Sequence, residues 1–410
     1  MRRSRIAAAV TLCLLLLGFA ALVVVATPWH PLPGHVPGGA VRPDASADFT
    51  PAQITRETAY HDEIRPWGIT GLVLALLVPA LLGFTPLGAR LVDRLRRRRW
   101  IVQVAVATVG VTLVTTLVSL PVAAREEVIL RRFGLSTQDW SGWWSDVGRG
   151  YVVGLVPTLV VLLAVIGLAR RFPRRWWAGA AGVGAALVLG GSFVYPLVVE
   201  PVFNNFHSLP AGQLRTEILA MAARDHQPLD DILVSDASRR TTAENAHVSG
   251  FGASKRLVLD DTLLAKDSPR EILVVAAHEL GHAKHDDVLT GTVEGALVVA
   301  AAMCALFLLA GDRVARARSV PLLLAAYAVV GFAVSPLTNL LSRHIEARAD
   351  AHALELTHDP QTFIDAQRGL AVSGLDDLRP SKLLYVLFFD HPSAPERIAM
   401  ARDWERQHAP

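Results

Sequence analysis

The sequence predicts a mainly α-helical membrane protein, in which seven transmembrane helices form a hollow bundle and carry a small extramembrane α/β domain. Three observations predict it. Of its 410 residues, 52% are hydrophobic and the mean hydropathy is positive, which is greasier than an ordinary soluble chain. Seven apolar runs approach the ~20 residues a helix needs to cross a bilayer. Two long polar stretches, 200–287 and 342–410, stand between and after them.

The runs fall at about 6–27, 68–87, 101–122, 151–169, 177–199, 288–310 and 320–341. The first has a basic start and would also suit a secretory signal peptide, but its length and the lack of a clean A-x-A site favour a retained span. Pro79, Pro121, Pro157, Pro196 and Pro336 lie inside runs and predict kinked helices whose freed carbonyls are satisfied by neighbours. That favours a hollow bundle over a tight one. No internal repeat stands out, which weakens a transporter built from duplicated halves. The expected organisation is helices 1–5 in 1–199, an extramembrane domain in 200–287, helices 6 and 7 in 288–341, and a C-terminal helical segment in 342–410.

In the first polar stretch, AGQLRTEILAMAARD reads as a helix and DILVSD, NAHVSGF and RLVLDD as short strands. SPREILVVAAHELGHAKH follows. Ser268 suits an N-cap, Pro269 the first helical position and Glu271 the reciprocal partner of a capping box, so a well-marked helix starts here.

Only two cysteines occur, Cys13 and Cys304, both in apolar runs. A disulfide framework and a Cys-rich metal site are thereby excluded, and any metal must use His, Asp or Glu. On the predicted helix His278 and His282 are one turn apart on one face, so both imidazoles can converge on one ion. Glu279 sits about 100° round the helix, where H-E-x-x-H sites place a carboxylate as general base toward metal-activated water. His285 shares the face, but about 10 Å of helix separates it from His278, too far for one ion at about 2 Å. The third ligand must come from elsewhere. SRHIEARADAHALE, 342–355, is the best source: Glu346 and Asp350 are four apart, so one carboxylate can bind the ion while the other holds a ligand imidazole by its free N–H. His344 lies on a different face and is a weaker ligand candidate. Glu294, in the sixth run, is an intramembrane carboxylate and a functional suspect, or it lines a wet chamber.

Five motifs in order, EPVFNNF at 200–206, NAHVSGFGASKRLVLDDTLL at 245–264, HELGH at 278–282, SRHIEARAD at 342–350 and HPSAPERI at 391–398, resemble the signature of the CAAX prenyl protease 1 family. The likeness covers most of the chain and extends more distantly to the bacterial heat-shock protease HtpX. It implies a seven-span zinc metalloendopeptidase with a zincin-type metalloprotease domain and one Zn2+ per chain. His278, His282 and Glu346 would hold the zinc, Glu279 would be the base that assists water, and Asp350 would stand behind a ligand. It also implies that Asn245, Ala246 and the strand after them pair with the substrate backbone, while His391 and Arg397 face the scissile carbonyl and its developing oxyanion. His247 and His344 depart from the family's usual residues, a difference that bears on substrate preference and not on zinc.

The expected partners are a peptide or protein substrate, lipidated or membrane-embedded, and the lipid bilayer; no nucleic acid is expected. Two other readings compete. An intramembrane-cleaving protease would hold H-E-x-x-H within a span, whereas Lys284, His285, Asp286 and Asp287 set it here at the water boundary. A non-catalytic metal-binding receptor or transporter would not need Glu279. Orientation is contested by two arguments. Arginines cluster at 2–5, 90–99, 170–175 and 313–318, all on one side of a seven-span chain. The positive-inside rule makes that side cytoplasmic and the zinc site extracytoplasmic. Eukaryotic members of the resembled family are expected to present the site to the cytosol. Arginine in large excess over Lys255, Lys266, Lys284 and Lys382, with abundant alanine, suggests a GC-rich bacterial source in which prenylated proteins are not the obvious target.

Overall fold

The structure is a computed structural model. It describes every residue except Met1, Pro33, Pro228, Asp230 and Pro410, and every side chain of those except that of Ala253. Five long helices come first: α1 Arg2–Ala26, α2 Pro51–Phe84, α3 Trp100–Phe133, α4 Trp140–Arg171 and α5 Trp176–Val194. Two helices of twelve residues or more follow in the polar region, α6 Gln213–Arg224 and α7 Pro269–Lys284, then α8 Asp287–Ala310 and α9 Val320–Thr357, and finally α10 Pro360–Gly374 and α11 Ala394–His408. Among the described residues seven helices, α1 to α5, α8 and α9, are long and apolar enough to cross a membrane.

Local chemistry sets the ends of these helices. Thr50 and Gln53 form a capping box with Pro51 at the first position of α2, and Gly134, in the left-handed region, ends α3. Pro79, Pro121, Pro157 and Pro336 are all accommodated inside continuous helices. At Pro196 the backbone instead widens into a π-helical turn, Tyr195–Val199, a known way to absorb a lost N–H.

The spans pack as a curved row, α1 on α8, α8 on α5, α5 on α4, α4 on α3, α3 on α2 and α2 on α9. Only 6% of the residues in the most apolar window of α1, α2 and α5 are buried, and 28% in that of α8. A filled bundle would bury one whole face of each helix, so the spans are not packed solid and leave a hollow between them. One end is plugged. Ala8, Val165, Trp176 and Phe307 pack together there, as do Val104, Leu162, Ile166 and Val320. Arg5 donates to the Leu308 carbonyl, Arg170 to that of Ala315, and Arg318 pairs with Asp93 at 3.5 Å. The four arginine clusters therefore share this end.

The other end carries a four-stranded sheet of β1 Phe206–Ser208, β2 Ile232–Ser235, β3 Ala246–Ser249 and β4 Arg256–Asp260, in the order β1-β2-β4-β3. β2 and β4 are parallel and the outer pairs antiparallel, which leaves β3 on an edge. Ile232, Val234, Leu257 and Leu259 pack on Ile218 of α6, on Ile272 and Leu280 of α7, and on Leu354, Phe363 and Ile398 of the last three helices. One core thus joins 200–287 to 342–410. The last span and the 342–355 helix are not separate elements. They form the single 38-residue helix α9, which carries the membrane geometry directly into this core.

Asp267, just before the N-cap of α7, offers a pH test of this core. Burial, with Glu244 and Glu271 nearby, pushes its carboxyl up to about 7 from 3.8. The folded state thus holds the proton more tightly than the unfolded chain. That contribution is complete below about pH 4 and is lost as pH rises through about 7. Asp267→Asn should raise the melting temperature by ~2 °C or more at pH 8 and leave it unchanged at pH 4. Thermal unfolding in detergent at the two pH values checks this.

Candidate metal centre

α7 begins as its sequence dictates, with the Ser268–Glu271 capping box and Pro269 at its first position. It is then buried over nearly all its length. α9 crosses it at Gly281. A Cβ there would lie 3.1 Å from the Ala349 backbone and 3.2 Å from the His352 side chain, tighter than ordinary packing, so glycine favours this close a crossing. The crossing brings Glu346 over the paired imidazoles.

Ligand atoms of His278, His282 and Glu346 all lie within 4.8 Å of one another. The two Nε2 atoms are 3.2 Å apart. Nε2 of His278 is 3.3 Å from Glu346 Oε2, and Nε2 of His282 is 3.6 Å from Glu346 Oε1. Zinc bonds of ~2.0–2.2 Å at tetrahedral angles set their ligand atoms about 3.3–3.5 Å apart, so the donor set fits such an ion. Each Nδ1 faces a carboxylate, Asp350 at 2.8 Å for His278 and Asp287 at 2.9 Å for His282. Each ring therefore donates outward, and its Nε2 lone pair points into the cluster. Glu346 Oε2 is buried and without a hydrogen bond among the described residues. Three electron-pair donors thus converge on one point, an arrangement that a divalent cation satisfies. Burial opposes a charge on His282, but Asp287 and Glu346 outweigh it and lift the imidazole to about 10; a cation competes with that proton for Nε2.

The remaining predicted residues surround this point. Glu279 is 7% exposed, and its Oε2 accepts from the Val248 backbone N–H at 2.9 Å. That bond ties the H-E-x-x-H helix to the outer side of edge strand β3. Ala246 is buried at the start of this strand, and Asn245 is exposed just before it. A cavity of about 550 Å³ runs along the strand, lined by Glu200, Asn204, His247 and Gly250 among others. His391 stands beside the cluster, with Nε2 3.3 Å from Glu346 Oε2 and Nδ1 2.9 Å from Asp390. Its side chain is 53% exposed. Burial opposes its charge, but Asp390 and Glu346 raise its pKa. Asp350 is fully buried, and the Arg397 guanidinium spends Nε, at 2.8 Å, and one Nη on its carboxylate. Arg397, expected at the scissile carbonyl, thus points at the Asp350–His278 pair.

Three other candidates lie outside the cluster. His344 packs edge-on against Trp29, with ring centroids 5.1 Å apart. His285 caps the end of α7 and sits edge-on to His352. Glu294 is half-buried in α8. The sequence reading missed Asp287, which five-residue spacing from His282 hides, because no regular helix puts such a pair on one face. It also missed Arg348, which pairs with Asp287. Asp225 escaped notice too: it accepts from Lys284 at 2.7 Å and faces His352 at 3.0 Å, pinning α6 to α7 and α9.

Two family models match consecutive parts of the chain. One described as CAAX prenyl protease N-terminal, five membrane helices, matches residues 68–205, and one described as peptidase family M48 matches 208–405. The chain is 32% identical over 306 residues to the uncharacterized metalloprotease YhfN of Bacillus subtilis, covering 72% of each. It is 28% identical over 317 residues to a CAAX prenyl protease 1 homolog of Oryza sativa subsp. japonica, again covering 72% of each. With the CAAX prenyl protease 1 of Saccharomyces cerevisiae it shares 32% identity over 171 residues, 41% of this chain and 38% of that one. The crystal structure of S. mikatae Ste24p superposes with a TM-score of 0.76 at 20% identity, covering 96% of this chain and 98% of that one. This last likeness is one of fold.

Gly281→Ala tests the helix crossing. It gains about 1 kcal/mol of helix propensity yet pushes α9 away from α7. Metal affinity, measured by titrating the apo protein in detergent, should fall about tenfold, as for lost support of a ligand, while helicity by circular dichroism stays unchanged.

Proposed function

The chain belongs to peptidase family M48 and is an integral-membrane metalloendopeptidase, and from that premise we propose that its metal is a single zinc ion held by His278, His282 and Glu346. The observation that carries this is the meeting of three donor atoms within 4.8 Å on helices α7 and α9. Two histidines and a carboxylate leave a fourth position open, as catalytic rather than structural zinc requires. When bound, the ion would supply Lewis acidity to a carbonyl oxygen and to water.

The chain's own residues do the rest. The outer edge of β3 beside Asn245 and Ala246 receives the substrate as an added strand, because an edge offers unpaired backbone donors and acceptors, up to the Val248 N–H that Glu279 already occupies. Glu279, held by the Val248 N–H, stands next to that edge. It takes a proton from the water whose oxygen attacks the carbonyl carbon, then delivers it to the departing amine nitrogen as the C–N bond breaks. The exposed imidazole of His391 donates to the oxyanion that develops at the carbonyl oxygen. Asp350, fixed by Arg397, keeps the proton of His278 on Nδ1 and its lone pair inward. Neither matched family describes a receptor or a transporter, and a buried general base next to the donor set serves neither role.

We further propose that the arginine-rich end faces the cytoplasm, by the positive-inside rule, and that the catalytic end faces outward. A site on that side does not meet cytosolic prenylated tails. The substrate class we favour is therefore an extended segment of an unmodified or misfolded membrane protein, rather than the CAAX peptide that the names of the yeast and plant relatives imply.

Purified enzyme should carry about one zinc per chain by elemental analysis. Glu279→Gln should keep that zinc while peptide hydrolysis drops about 10³-fold or more; full activity in the variant would refute the mechanism. His391→Ala should retain zinc and lose about 10²-fold in kcat. A reporter fused after residue 410 should be active only outside the cytoplasm, and a cytoplasm-only signal reverses the orientation. Proteomic comparison of membranes holding active or Glu279→Gln enzyme identifies the substrates.

A further inference from the structure

Each imidazole of the cluster is backed by an aspartate, and each aspartate by an arginine. The series His278–Asp350–Arg397 stays within the polar domain. The other does not. Asp287 is the first residue of α8, and the residue before it, Asp286, adopts the left-handed conformation at φ 50°. That sharp break between α7 and α8 swings the Asp287 carboxylate back onto His282, where Oδ2 accepts a hydrogen bond from Nδ1–H at 2.9 Å. Its other oxygen accepts from one Nη of Arg348. The second Nη of Arg348 donates at 3.2 Å to the carbonyl of Ala26, the last residue of α1.

Three physical terms make this series more than a chance contact. Asp287 lies at the positive N-terminal end of α8, and its two oxygens face the His282 imidazole and the Arg348 guanidinium. An acceptor there fixes the tautomer of His282 and aims its Nε2 at the cluster. The Ala26 carbonyl is one of the four that a helix leaves without an internal partner, and α1 has no basic residue of its own in its last turn. Arg348 fills that need, and by doing so its own head is held between two fixed oxygens. The chain leaving α1 adds a second tether, with Trp29 edge-on to His344 and Pro31 lining a cavity of about 280 Å³ beside Arg343, Asp350 and Arg397. α1 precedes both segments matched by family models.

We infer that the end of the first span is the outermost support of the metal centre: Ala26 holds Arg348, Arg348 holds Asp287, and Asp287 orients the ligand His282. Asp287 and Arg348 are positioning residues, and α1 is part of the catalytic apparatus rather than an anchor alone. The inference rests on the zinc reading above.

The test uses full-length protein in detergent, stripped of metal and titrated with zinc against a competing chelator, with the melting temperature of each apo form measured alongside. Asp287→Asn and Arg348→Gln should each weaken zinc binding about 10- to 100-fold, with apo melting temperatures close to wild type. The double variant should cost little more than either single one, since both break one series. Arg348→Lys, which keeps the charge but reaches only one of the two oxygens, should fall between. Arg5→Gln, which removes a bond at the opposite end of α1, should bind zinc as wild type does. Wild-type affinity in Asp287→Asn and Arg348→Gln overturns the inference and leaves the zinc reading standing. Failure of the wild-type protein to take up zinc overturns both. If Asp287→Asn does not fold, Arg348→Lys decides alone, with unchanged affinity counting against the support.

Discussion

The donor cluster of His278, His282 and Glu346 makes demands that shape everything near it. Nitrogen and carboxylate atoms brought within 3.2–3.6 Å of one another repel unless a proton or a cation lies between them, and a carboxylate oxygen without a hydrogen bond is costly to bury. An arrangement of this kind persists only if stronger interactions behind it hold each group in place and a cation in front compensates the charge. The two Asp–Arg pairs do the first. Asp350 is fully buried against Arg397, the Asp287–Arg348 pair is half-buried, and in each pair the carboxylate is shared between an imidazole and a guanidinium, which fixes its orientation.

The fold serves this need through two helices. α7 is stabilised at its start by a capping box and along its sides by burial, so its register is fixed. α9 descends from the ring of spans without a break and crosses α7 at Gly281, with Glu346 and Asp350 one turn apart on the same helix. The site is therefore built where a membrane helix becomes a core helix of the polar domain. A shift of α9 in the membrane translates directly into a shift of the Glu346 carboxylate. Rigid placement explains why the proposed substrate edge, β3, is tied to α7 by the bond between Val248 and Glu279: base and substrate strand move together.

Much of this was legible in the sequence. Seven apolar runs became seven spanning helices, because length and hydropathy are local properties. The capping box at Ser268, the helix at 213–224 and the three strands after it appeared where propensity and turn residues put them. The H-E-x-x-H pair read correctly as two imidazoles on one face, since helical periodicity fixes that geometry. β1, only three residues long, carried no pattern of its own and exists because β2 supplies its partner. Asp287 was invisible because its contact with His282 depends on the left-handed residue between two helices, and Arg348 because its two acceptors lie 61 and 322 positions away. The resemblance aimed Arg397 at the substrate; in the fold its guanidinium is drawn to Asp350, the nearest buried negative charge.

What the sequence by itself determined is whatever is encoded within one turn or one strand: span count, helix starts, and the placing of His278 and His282 on one helix face. Which of Glu346 and Asp350 faces the imidazole Nε2 atoms, what stands behind each ligand, and how the first span reaches the site were decided only by tertiary structure. The reason is physical. These contacts join segments separated by tens to hundreds of residues, and their free energy depends on the distance and burial that packing creates, which no local pattern specifies.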